Sequence, residues 1–181
     1  MKRLFIILIS AAVFLGACKK EATVRTSGTD TIDNVKYHAI SYHVYGFSFS
    51  QAKLVATNAT PPPDIMVNFV YSDDAPPRPT LQTNNFHPSF YKLGEYDTED
   101  EAKEAFDDFM KNSNIMVELP GSFEDIADPI APNQIWLYMN NAKYTKIRIV
   151  EVIIDKLEGL VDYVECTFEW VHQPDGRLSF P

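Results

Sequence analysis

The chain has 181 residues, of which 45% are hydrophobic, 13% aromatic and 23% charged, with 7 Gly and 12 Pro; that is globular composition, and it excludes a disordered or collagen-like chain. Sixteen Lys and Arg stand against 25 Asp and Glu, a formal charge of −9, so a phosphate-gripping surface would have to be built against the net charge and nucleic acid is not an expected partner.

Met1-Lys2-Arg3 gives a short positive start and residues 4–15 an apolar run broken only by Ser10, the order of an export signal. A helix over that run spans only ~18 Å against the ~30 Å hydrocarbon core, which disfavours a membrane-spanning anchor. Leu15-Gly16-Ala17-Cys18 resembles the lipobox of bacterial lipoproteins. Residues 1–17 are therefore expected to be a cleaved signal peptide and Cys18 the site of lipid attachment. Two or three acyl chains on one sulfur and its amine make membrane attachment effectively permanent. Cleavage also removes Lys2 and Arg3, and the more acidic body that remains is repelled by anionic lipid. Residues 18–34 are polar and show no periodicity, so they are expected to form a flexible tether. A single domain is expected over 35–181, long enough to bury about two-thirds of its unfolded surface without disulfide or metal staples.

In chain order, 37–55 reads as two aromatic strands interrupted near Gly46, a residue that favours a bend or bulge. Pro61-Pro62-Pro63 enforces an extended loop. A strand follows over 64–71, with Ile65, Val67 and Phe69 on one face and Met66, Asn68 and Val70 on the other. The proline-rich 73–79 stretch is expected to be a loop or an edge segment. One helix is predicted over about 98–112. Thr98-Glu99-Asp100-Glu101 fits a capping box, and Ala102, Ala105, Phe106, Phe109 and Met110 form its apolar stripe. Its acidic first turn suits the helix dipole rather than a calcium site.

Residues 134–139 and 144–154 read as a hairpin turning at Asn140-Asn141. A second hairpin is predicted from 163–172 and 177–180 around Pro174-Asp175-Gly176. Val164, Cys166, Phe168 and Trp170 alternate with Glu165 and Glu169, which points the Cys166 thiol into a core rather than toward reactivity. The sum is a mostly β protein, an antiparallel sandwich or flattened barrel with one helix; without alternating helices a parallel α/β sheet is excluded.

No Gly-x-Ser-x-Gly, His-Glu-x-x-His, phosphate-binding glycine loop, dinucleotide fingerprint or Cys-x-x-Cys is present, so no enzyme is expected. His38 and His43 fall on opposite faces of a regular strand, which spoils a shared metal. His172 borders a turn and is expected to be exposed, while His87, between Phe86 and Pro88, faces either a pocket or solvent. Met110, Met116 and Met139 are expected to pack.

Three blocks carry a family resemblance: residues 42–50 (YHVYGFSFS), residues 63–69 (PDIMVNF), and the closing set 133–138, 144–149 and 164–170. In this order they resemble the HmuY-like lipoproteins of Bacteroidota, haem-capturing partners of TonB-dependent receptors. Two departures stand out: the spacing between blocks is shorter here, and Pro63 replaces the tryptophan usual before the aspartate. The resemblance implies an antiparallel β fold, an outer-membrane lipoprotein and a haem site in which two His or Met side chains cap the iron. By position His87 is the nearest candidate for the first ligand. At the second, the chain offers Gly121-Ser122-Phe123, none of which ligates iron, and Met116 is the nearest substitute. The expected function is a non-enzymatic binding lipoprotein of the outer membrane, capturing haem or another apolar ligand for such a receptor. The alternative is a structural or interaction module of the same fold, without haem, that binds protein or glycan. Which face of the membrane carries the domain stays open.

Overall fold

In the computed structural model, the described residues are 24–35, 37–38, 41–42, 44–84, 87–113, 121–157 and 161–181. Residues 1–17, expected to be a signal peptide, Cys18 and Met116 lie outside them, and among the described residues no helix is long and apolar enough to cross a membrane. Among the described residues, twelve strands and one helix occur in the order β1 (Ser27–Asp33), β2 (Tyr37–His38), β3 (Ser41–Tyr42), β4 (Tyr45–Ser48), β5 (Lys53–Ala56), β6 (Met66–Ser72), β7 (Ala75–Gln82), β8 (Phe90–Glu95), α1 (Glu99–Asp108), β9 (Ile126–Ala127), β10 (Gln134–Asn140), β11 (Lys143–Leu157) and β12 (Val161–Gln173).

All strand pairings are antiparallel, and the principal sheet runs β1-β12-β11-β10-β8. A three-stranded sheet, β6-β7-β9, and the β4-β5 pair face it. The sheets do not close, so of the two predicted architectures the structure is sandwich-like rather than a barrel. The core lies between these layers, because strand parity sends alternate side chains inward. From the principal sheet come Trp136, Tyr138, Ile147, Ile149, Val164, Cys166, Phe168 and Trp170; the facing layer supplies Phe47, Ile65, Val67, Phe69 and Leu81. Phe47 meets Phe168 and Trp170 at centroid distances of 5.5 and 5.3 Å, within the range where aromatic pairs attract. The opposite parity of β10 and β11 buries Ile135, Leu137, Lys146 and Arg148, and α1 lies against these two strands with Ala102 and Phe106 buried.

Gly46 lets β4 approach the segment that enters β6. A Cβ there would stand 2.3 Å from the Ile65 carbonyl oxygen and 2.7 Å from Pro63 Cβ, closer than any side chain tolerates, and the absence of one lets Phe47 exchange hydrogen bonds with Ile65 at the entry to β6.

Several expectations are corrected. The segment read as tether contains β1, which pairs with β12 from Ser27↔Val171 to Asp33↔Glu165. Only Ile32 is apolar and buried in it, so the strand gives no periodic signal and is held by its ladder. Asp30 adds to this by accepting from Trp170 Nε1 at 2.7 Å and from Arg25 at 2.6 Å. The first hairpin forms, but Asn140 pairs with Lys143 inside the ladder and the turn falls one residue later than expected, on Asn141 and Ala142, both at positive φ, 49° and 58°, the backbone its right-handed twist requires. The second hairpin does not form. The chain leaves β12 at Gln173, turns over 174–176, and Phe180 bridges Lys111 in parallel just past the end of α1, with Phe180 N donating to the Met110 carbonyl at 3.0 Å. Of the loop and the edge segment expected for the proline-rich stretch, the edge forms: residues 75–79 open β7, and β9 pairs with Leu81 and Gln82, so Pro76 and Pro77 sit where no ladder donor is needed on that side. The helix is capped by Thr98 as predicted, with Thr98 Oγ1 accepting from Glu101 N, but it ends at Asp108. Met110, expected on its stripe, instead has φ 52° and is half-buried.

Candidate functional site

A cleft of about 360 Å³ opens at one end of the sandwich, near the lower end of the ~300–1,000 Å³ usual for ligand sites. Five chain segments build it. Ser48 and Ser50 come from the end of β4, Pro61 to Asp64 from the approach to β6, and Thr83, Asn84 and His87 from the connection after β7. Tyr138, Asn140, Asn141 and Lys143 come from the β10-β11 hairpin, and His172 from the end of β12.

Asp64 ties these segments together. Its Oδ2 accepts from Phe49 N at 2.8 Å, its Oδ1 accepts from Asn140 Nδ2 at 3.2 Å, and its backbone oxygen accepts from Tyr138 OH at 3.2 Å. The carboxylate is thus committed to holding the hairpin against β4. Burial, with Asp64 next, pushes the Tyr138 phenol far above its ordinary range, so it stays protonated as a donor.

His172 forms the floor. It is 7% exposed, and its Nδ1 lies 2.8 Å from Thr145 Oγ1 on the opposed strand. Its ring stacks on Phe49 at 6.1 Å and 16°. Nε2, the remaining polar atom of the ring, is buried without a hydrogen-bond partner. Burial lowers the His172 pKa from its ordinary value, opposed by the Asp64 charge and aided by Lys143, so the ring is neutral at pH 7.

The expectation that His172 is exposed is therefore overturned. β12 continues to Gln173, and the parity that buries Val164, Cys166, Phe168 and Trp170 carries on to residue 172. That alternation is legible in the sequence, and it outweighs the turn at 174–176. His87 sits exposed at the cleft rim, 3.5 Å from Thr83 Oγ1. It lines the cleft with His172, whereas Met116, its expected partner, and Cys18 lie outside the described residues. His38 lies in β2, and His43 is outside the described residues. Asp64, Tyr138 and Asn140 were missed as site residues, since nothing local distinguishes them. Among the described residues no group of three or more His, Cys, Asp or Glu is placed to hold a metal ion.

Cys166 is fully buried, and burial raises its pKa well above the ordinary thiol value, with Glu165 adding to the shift; it contributes packing rather than a nucleophile. Compared with known proteins, the chain matches no family model, no curated protein and no solved structure.

Proposed function

We propose that this chain is a non-enzymatic binding lipoprotein of the outer membrane, anchored through Cys18 and holding its ligand in the cleft floored by His172. The observation that supports it is the buried, unpartnered Nε2 of His172 among the cleft-lining residues. A buried polar atom without a partner costs ~1–3 kcal/mol, which a ligand that supplies the partner recovers. The reading is non-enzymatic because the sequence carries none of the local signatures of hydrolase, zinc, nucleotide or redox chemistry.

The HmuY-like resemblance implies haem as cargo and a TonB-dependent receptor as the partner that takes it. Two imidazoles on one cleft, His87 and His172, favour that ligand. The hydroxyl and amide side chains of the lining, Ser48, Ser50, Thr83, Asn84, Asn140 and Asn141, favour the rival, a structural or interaction module of the same fold that holds protein or glycan as a polar ligand without haem, because a porphyrin needs apolar plates on both faces.

Haemin titrated into the mature chain purified in detergent separates the two. A sharpened Soret band that is lost in both His87→Ala and His172→Ala establishes haem capture, and an unchanged haemin spectrum leaves the polar ligand. The anchor is tested separately by Cys18→Ala, which is expected to move the protein from the membrane fraction to the soluble one; retention in the membrane overturns anchoring through Cys18.

A further inference from the structure

Resting on the binding reading above, we infer that the cleft takes an uncharged, hydroxyl-rich ligand of the saccharide class, anchored by a hydroxyl on His172 Nε2. The imidazole is immobilised on three sides. Thr145 holds Nδ1, Phe49 covers a face, and β12 fixes the backbone. What remains is one buried polar atom at a fixed position. In a neutral ring Nε2 accepts in one tautomer and donates in the other, with Thr145 able to follow either way. A hydroxyl, which also does both, matches it in both states.

Charge points to the same class. Lys143 and Asp64 line the cleft with opposite signs, and the Asp64 oxygens already accept from Phe49 N and Asn140 Nδ2. An anionic ligand would meet Asp64 as well as Lys143, and a cationic ligand would meet Lys143, so neither sign is favoured. The remaining walls combine rotatable hydroxyls and amides at Ser50, Thr83, Asn84 and Asn140 with the proline run 61–63. Hydroxyls and amides satisfy a polyol's alternating donors and acceptors, and proline rings offer the apolar surface that the C–H face of a pyranose needs.

The test follows the His172 ring nitrogens by NMR in the full mature chain, with glucose, galactose, mannose and N-acetylglucosamine as probes and inorganic phosphate and acetate as charged controls. At least one sugar is expected to shift the Nε2 signal saturably, with the charged controls without effect. His172→Phe, its affinity read by titration calorimetry because the followed nitrogen is gone, and independently Asn84→Ala at the exposed rim, should each weaken that sugar at least tenfold; the rim variant keeps the test valid if the floor variant fails to fold. No saturable shift with any sugar, an equal shift with phosphate or acetate, or affinity unchanged in Asn84→Ala overturns the inference. If haemin instead saturates the signal, the saccharide class falls and the cleft-binding reading stands; if neither sugars nor haemin move it, both fall.

Discussion

The Thr145 hydroxyl lies 2.8 Å from His172 Nδ1 across directly opposed positions of β11 and β12, and both side chains are buried. This cross-strand bond fixes the orientation of the imidazole ring. Thr145→Val keeps the shape and removes the partner, leaving Nδ1 unsatisfied at a cost of ~1–3 kcal/mol. Urea unfolding should show a loss of that size. A change below ~0.5 kcal/mol would mean the ring is held by Phe49 and the backbone alone.

Because burial depresses the His172 pKa in the fold, the unfolded chain binds more protons than the folded one between the lowered value and ~6.5. Stability contributed by this residue is therefore present above about pH 6.5 and lost as pH falls through the folded value. His172→Phe should flatten this part of the stability profile. Denaturation midpoints measured from pH 7.5 down to 5 for both proteins test it, and identical slopes would contradict the assignment.

Helix α1 has no basic residue in its last turn, and the cation comes instead from the sheet. Lys146, 2% exposed, donates from Nζ to the carbonyls of Phe106 and Asp107, with the rings of Phe106 and Phe180 at 4.7 and 5.2 Å. It thus serves as cap and counter-charge for the negative end of the helix dipole. Lys146→Met should destabilise by ~1–3 kcal/mol through the carbonyls it strands. Hydrogen exchange should quicken at the end of α1 while the β12 core stays protected; uniform loss of protection would point to a general packing defect.

The Cys166 thiol, buried and shifted upward, should resist an aromatic disulfide reagent at pH 8 in the native chain and react once guanidinium unfolds it. Reaction at a similar rate in both states would refute its placement in the core.

Strand parity made much of this protein legible in the sequence. The inward set Val164, Cys166, Phe168 and Trp170, the Thr98 cap and the β10-β11 pairing, though not the exact residues of its turn, follow from side-chain period and local backbone chemistry, and these are set by neighbours in sequence. Strand β1 and the C-terminal bridge were not legible. The first has one buried apolar residue and is fastened by Asp30 to Trp170, and the second joins Phe180 to Lys111; both depend on partners remote in the chain.

The cleft shows the same division. Its histidines were visible as residue types. The geometry that makes His172 the floor, with Asp64 reaching Phe49 and Asn140, brings together segments from five parts of the chain. By itself the sequence determined the antiparallel β character and the single helix seen among the described residues, because each is a pattern among near neighbours. Only the tertiary structure decided which polar atom is left buried and unpaired, since that depends on which strands meet.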